Sequence, residues 1–341
     1  MLETSQILDR LSRPLKNLRL SVTDRCNLRC RYCMPEEQYK WLRRSLILDF
    51  EELTRLVRIF QMLGVANLRI TGGEPLVRRD LPVLVSQLSA LSLKDLALTT
   101  NGVLLAQQKE ALFAAGLDRV TVSLDAVDPK LFAQIAQRDD LERVLEGLHS
   151  VAHTPGLKID SVLMKGINEH QMVPLLELAE QLGAQLRFIE YMDVGGATQW
   201  SSDLVFSHRE ILQSLQTRYG RLQELPGRGS APAQCYRLPS GQTFGIIAST
   251  TRPFCRSCDR ARVTADGQLL TCLYSRVGTD LRAWIRSELT DQEIAERLAR
   301  LWQGREDRGA EQRLQLRRRG PLANAEELQE NVHLEMHTRG G

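Results

Sequence analysis

An α/β fold built on a parallel sheet is predicted for this 341-residue chain, and two observations carry the prediction. Six strand-like apolar runs alternate with helical patterns between residues 18 and 191, and the composition changes near Leu222. Alternation of this kind places parallel strands inside and helices outside. Periodicity alone does not distinguish an open sheet from a barrel.

The elements follow in order. After Arg13-Pro14, residues 18–22 alternate as a strand does. A helix starts at Asp49, with Glu52 at the capping-box position and Leu53, Leu56, Val57, Phe60 and Leu63 at helical spacing before Gly64. Residues 67–71 are the second strand, 81–91 a helix after Asp80, 96–99 the third strand, and 103–115 a helix closed by Gly116. Three further runs at 119–124, 157–163 and 185–191 are separated by helical patterns around 141–151 and 171–182. From about Leu222, the residues Pro226, Gly227, Gly229, Pro232, Pro239 and Gly241 read as turns and a linker, dividing the chain into 1–221 and 222–341. The second region carries short strands at 243–248, 261–264 and 268–271, then helices over 281–287 and 291–303. From Gly304 the chain is highly charged, and residues 337–341 carry no period, so a flexible tail is expected.

Forty-five Lys and Arg against 42 Asp and Glu leave a formal charge of +3, which argues neither for nor against a nucleic-acid partner, so any anion has to be read from local basic clusters; no nucleic-acid partner is expected. Neither a signal-peptide pattern nor an apolar run of membrane-spanning length is found, so a cytoplasmic protein is expected. Seven cysteines, mostly in two tight groups, suit ligation in a reducing compartment better than a disulfide framework.

The first group, Cys26, Cys30 and Cys33, forms a C-x3-C-x2-C run directly after the first strand. An iron–sulfur cluster usually takes four cysteines, so three close ligands leave one iron open for another ligand. Zinc sites favour C-x2-C pairs and four ligands. The second group is Cys255-x2-Cys258 with Cys272; a zinc ribbon would need a second pair, and Cys235 could supply a fourth ligand, although its place in the turn-rich stretch reads better as an unligated thiol.

The C-x3-C-x2-C loop, with Tyr32 before its third cysteine and Thr71-Gly-Gly-Glu-Pro75 after the next strand, resembles the radical S-adenosylmethionine (SAM) enzymes. That resemblance implies an incomplete β6α6 barrel with a smaller C-terminal α+β extension, and a [4Fe-4S] cluster on the first trio completed by SAM. It assigns Tyr32, Gly73, Glu74, Ser123 and Met192 to SAM, with chemistry where strands end. The second trio extends the likeness to the branch that cyclises GTP in molybdenum-cofactor biosynthesis, over nearly the full chain. This implies a lyase with a second [4Fe-4S] cluster on Cys255, Cys258 and Cys272, whose open iron binds the purine. A reductant such as flavodoxin or ferredoxin, hand-over to the cyclic pyranopterin monophosphate synthase and a homodimer are further implied, with no membrane partner.

GTP requires cations, and no P-loop motif supplies them. The resemblance places Arg19, Arg69, Thr99, Lys158, Arg187, Arg260 and Arg262 at the substrate. Arg19, Arg69, Lys158 and Arg187 lie in otherwise apolar strands, where an anion-filled barrel would relieve their cost. Arg260 and Arg262 alternate and so share a strand face; with Gly340 and Gly341, whose tail is expected to enter the barrel, they are the expected catalytic group. Two departures from the family pattern stand out. Asp160 sets a carboxylate near the polyphosphate, tolerable if a lysine or arginine pairs with it, and Arg339 replaces an apolar residue. Two alternatives are a peptide-modifying radical SAM enzyme, which would usually bring more auxiliary cysteines, and a zinc-knuckle RNA-binding module using Arg317-Arg-Arg319. The latter run reads better as a solvated helix end, and only 5% of residues are aromatic.

Overall fold

The computed structural model describes residues 6–227 and 229–340. Six strands pair in parallel in chain order: β1 (Asn17–Ser21), β2 (Asn67–Thr71), β3 (Asp95–Thr100), β4 (Arg119–Ser123), β5 (Lys158–Leu163) and β6 (Gln185–Glu190). Alternation along each strand sends Leu18, Leu20, Leu68 and Ile70 into the core and leaves Arg19 and Arg69 on the opposite face. Helices cover the apolar face. The helix Phe50–Met62 begins with the expected capping box and buries Leu53, Leu56, Val57 and Phe60. Truncating Leu56 to alanine would cost about 2–5 kcal/mol.

Most helices lie within a few residues of their expected bounds, as at Leu81–Ser89, Leu105–Ala114, Leu141–Ser150 and Met172–Gln181. Two before residue 222 were not anticipated. Asp128 caps Pro129–Ala136, accepting from Leu131 N, and Ser207 caps His208–Tyr219 through a capping box with Glu210.

Beyond residue 222 the sheet continues. The stretch read as a linker holds β7 (Gln223–Glu224) and β8 (Gln234–Arg237), and β8 pairs antiparallel with β9 (Thr243–Ile247). β9 lies parallel to β6. On the other side β10 (Arg260–Val263) lies parallel to β1, followed by antiparallel β11 (Gln268–Leu270) and β12 (Thr279–Asp280). The twelve strands form one unclosed sheet in the order β12-β11-β10-β1-β2-β3-β4-β5-β6-β9-β8-β7.

The expectation of an unstructured tail is corrected. Residues after Gly304 form helices at Gly309–Leu314, Ala325–Glu330 and Met336–Arg339. Arg319, expected to be solvated, donates to both carboxylate oxygens of Asp193 at 2.8 and 2.7 Å and to Thr250 O at 2.9 Å. Arg319 therefore anchors this segment, while Arg317 and Arg318 stay exposed as expected.

Candidate active site

The polar inner face of the sheet borders a cavity of about 830 Å³. Strand register decides its lining. Arg262, Arg19 and Arg69 are partners across β10, β1 and β2, so three guanidiniums start from one level. Thr99, Ser123, Lys158, Asp160, Arg187 and Arg260 face the same space. Arg69 donates to Thr99 Oγ1 at 2.9 Å and Thr121 Oγ1 at 3.0 Å. Arg187 donates to both oxygens of Asp160, at 2.6 and 2.8 Å, which is the pairing the carboxylate required. Gly245, the register partner of Arg187, leaves room for its stem, since an added Cβ would lie 3.2 Å from Arg187 Cγ. Burial, then neighbouring cations, pushes Arg19 well down, Arg69 to about 9 and Lys158 to about 8. Such a lining favours a bound anion.

Cys26, Cys30 and Cys33 line the end of the cavity where the parallel strands finish. Arg29 N and Arg31 N donate to Ala136 O and Ile135 O, both at 2.9 Å, tying their loop to the helix that follows β4. Burial pushes Cys26 up to about 11 and raises Cys30 and Cys33 still further. They are neutral thiols until a metal draws off their protons. Among the described residues, no three His, Cys, Asp or Glu side chains form a group that could hold a single metal ion. Three free, half-buried thiols on one anchored loop are the donor set of an iron–sulfur cluster, which they fit.

Gly72 and Gly73 border the same end. Their bareness serves the protein itself, because a Cβ on Gly73 would lie 2.5 Å from Arg25 O and 2.7 Å from Asp24 O. Gly73 N and Glu74 N donate to Thr23 O and Arg25 O at 2.9 and 2.8 Å, seating the cysteine loop against β2. Buried Glu74 accepts from Thr100 Oγ1, Asn101 N and Leu76 N at 2.7, 2.6 and 3.0 Å, and burial raises it to about 7. Its carboxylate holds the end of β3. Tyr32 donates to Asp125 Oδ2 at 2.7 Å, and burial raises Asp125 to about 6. Ser123 and Met192 line this region too.

The second trio lies toward the opposite end. Cys258 precedes β10, which runs parallel to β1, whereas Cys26 follows β1; Cys272 follows the antiparallel β11. Cys255, Cys258 and Cys272 are again free and half-buried. Although burial raises Cys258, the nearby Arg260 and Arg305 outweigh it and bring the thiol down to about 7. Arg260 Nη2 lies 3.8 Å from Cys258 Sγ, with its guanidinium 4.8 Å over Phe254. Cys235 borders the cavity as a free thiol, and Gln185 Nε2 stands 3.9 Å from its sulfur.

The tail reaches the cavity. Gly340 O accepts from Arg262 Nη1 at 2.8 Å. Its φ of +71° and the 2.1 Å that would separate an added Cβ from Thr71 Oγ1 both demand glycine. Gly341 lies outside the described residues. Arg339 is not directed at a substrate phosphate; it donates to His333 O at 2.6 Å, to Ser275 O at 2.7 Å and to Leu273 O. His337 packs edge-on with Tyr39 and Trp41, 5.4 Å from each ring, and burial lowers it to about 3. Sequence inspection did not single out this aromatic group, whose members are nearly 300 residues apart.

The sheet, the cysteine loop and the cation-lined cavity define a radical SAM enzyme. Residues 20–179 match the radical SAM superfamily and residues 184–311 match Molybdenum Cofactor Synthesis C. GTP 3′,8-cyclase 1 of Mycobacterium tuberculosis is 50% identical over 343 residues, covering 98% of this chain and 96% of that one. GTP 3′,8-cyclase of Staphylococcus aureus is 41% identical over 317 residues, covering 90% and 93%. The chain belongs to the GTP 3′,8-cyclase family. Streptococcus suis SuiB bound to S-adenosylmethionine shares the fold, with a TM-score of 0.60 at 13% identity over 90% of this chain and 68% of that one.

Proposed function

We propose that this chain converts GTP to (8S)-3′,8-cyclo-7,8-dihydroguanosine 5′-triphosphate in molybdenum-cofactor biosynthesis, using two [4Fe-4S] clusters and SAM. The observation that carries this reading is one cavity lined at one end by Cys26, Cys30 and Cys33 and bordered elsewhere by Phe254, Arg260 and Leu273, the neighbours of the second trio, with a row of cations on the strands. Cys26, Cys30 and Cys33 would hold the cluster that, when bound, would supply the electron for reductive SAM cleavage and so the radical chemistry at C3′ of GTP. Tyr32, Gly73, Glu74, Ser123 and Met192 shape the SAM end, with Glu74 and Asp125 holding strand ends in place. Arg19, Arg69, Lys158 and Arg187 bind the triphosphate, while Thr99 orients Arg69. Arg260 and Arg262 hold the nucleotide beside the second trio, and Arg262 also keeps Gly340 in the cavity.

No helix among the described residues is long and apolar enough to cross a membrane. The reading carries a cytoplasmic location, a low-potential reductant such as flavodoxin or ferredoxin, and hand-over of product to the cyclic pyranopterin monophosphate synthase.

Anaerobic iron analysis with product assays tests the proposal. Replacing Cys26, Cys30 and Cys33 by alanine should remove about half of the iron and all SAM cleavage. Replacing Cys255, Cys258 and Cys272 should leave SAM cleavage but stop GTP conversion. Zinc accompanying the purified protein in place of iron would sink the reading.

A further inference from the structure

Behind the second cysteine trio, outside the catalytic cavity, a carboxylate and two guanidiniums are buried together. Asp9, Arg13 and Arg305 are 6%, 2% and 4% exposed. Asp9 Oδ2 accepts from Arg13 Nε at 2.6 Å and from Arg305 Nη1 at 3.3 Å, while Asp9 Oδ1 accepts from Leu11 N and Arg13 N, both at 2.9 Å. Further donors turn toward the cysteine loop. Arg13 Nη1 donates to Cys255 O at 2.8 Å and Asp307 O at 2.7 Å. Arg305 Nη1 donates to Cys258 O at 2.8 Å, and its Nη2 reaches Cys258 Sγ at 3.5 Å. Trp302 steadies both, with its ring 4.4 Å under the Arg305 guanidinium and its indole N–H on Arg13 O at 3.1 Å.

Stability alone does not account for this arrangement, because a buried ion group is often no more stabilising than apolar residues of the same volume. Charge at the sulfur is what an apolar group cannot supply. Arg260 approaches the same sulfur from the cavity side at 3.8 Å. Asp307 Oδ2 lies 3.5 Å from Arg305 Nε and accepts from Thr271 Oγ1 at 2.6 Å.

We propose that Arg305, held in place by Asp9 and Arg13, is a positioning residue that sets the reduction potential of the cluster carried by Cys255, Cys258 and Cys272. The inference rests on the reading that this trio holds a cluster. Reduction adds an electron to the cluster and its thiolates; a buried cation donating to a ligand sulfur favours that state and raises the potential. A carboxylate one residue behind the cation works in the opposite direction. The N-terminal segment thereby becomes part of the C-terminal cluster site.

The test uses full-length protein in which Cys26, Cys30 and Cys33 are alanine, so that one cluster remains, with redox titration followed by electron paramagnetic resonance. Arg305→Met should lower the midpoint by about 59 mV or more, a tenfold change for a one-electron couple, and Asp9→Asn should raise it. Opposite signs are expected of electrostatic tuning and not of a loosened loop. Unchanged midpoints, or shifts of the same sign, would overturn the inference. Should Arg305→Met fail to retain iron, the sign for Asp9→Asn decides alone. Absence of iron from the parent three-alanine protein would instead defeat the cluster reading, and the inference with it.

Discussion

Replacing Arg339 by methionine should release the tail and uncouple SAM cleavage from GTP conversion. Arg339 is 1% exposed and donates through Nε, Nη1 and Nη2 to three carbonyls, those of His333, Leu273 and Ser275. Methionine fills much of the same space but donates nothing. Hydrogen bonds from a charged donor contribute about 1.5–3 kcal/mol each, and water recovers part of that when the tail swings out. Losing the equivalent of two bonds at the lower figure costs about 3 kcal/mol, on the order of a hundredfold in the ratio of docked to undocked tail. The docked state is the one that carries Gly340 to Arg262, so conversion of GTP falls with it. The assay is the ratio of 5′-deoxyadenosine formed to GTP consumed, alongside carboxypeptidase digestion of the tail. Deleting Gly340 and Gly341 provides the reference, retaining iron and SAM cleavage while abolishing conversion. An Arg339→Met protein as coupled and as protease-resistant as the parent would refute the anchoring role.

Asp160→Asn removes the one anion among Arg19, Arg69, Lys158, Asp160 and Arg187, so GTP should bind on the order of tenfold tighter, about 1.4 kcal/mol. Weaker binding by calorimetry would show that orienting Arg187 matters more than the carboxylate's repulsion of phosphate. Lys158, lowered by burial to about 8, should be protonated as it takes up GTP, so affinity should fall as pH rises through 8. Lys158→Arg, whose charge does not titrate there, should flatten that profile, and an unchanged pH dependence would remove Lys158 from the phosphate site.

Much of the sheet was legible because its strands bury one face and leave the other polar, a pattern that reveals both the strand and its inward cations. Arg19 and Arg69 are informative for this reason: a guanidinium in a five-residue apolar strand has to face a polar interior. Register was not legible. The parallel pairing of β10 with β1 and of β9 with β6 joins residues more than 50 positions apart, and nothing in local periodicity encodes such partners. β8 was hidden by Pro232 and Pro239 on either side, which resemble linker punctuation although the four residues of the strand carry ladder donors. The tail failed for a related reason. It is held by Arg319 on Asp193, by Arg339 on three carbonyls and by a small apolar cluster of Ala323, Leu328 and Leu334, too few and too widely spaced to read as a hydrophobic period.

Both charges that the resemblance marked as departures, Asp160 and Arg339, are compensated in the structure, and the two compensations differ in kind. Asp160 is offset by the cation beside it in register, so the charge change stays within β5 and β6. Arg339 is offset by the Leu273 and Ser275 carbonyls of the turn after Cys272 and by the His333 carbonyl within the tail itself. The same tail donates the His337 backbone N–H toward Cys33, and a Cβ on Gly196 would lie 1.9 Å from Cys33 O and 2.9 Å from Glu335 Oε2. A four-residue helical turn therefore touches the loop of each cysteine trio at once. Its seat exists only while both loops keep their folded course, so disruption of either loop should withdraw Gly340 from Arg262 without any change in the cations proposed to bind the nucleotide. An intact cation row is thus insufficient for turnover when either loop is disordered, because the element that completes the cavity depends on both.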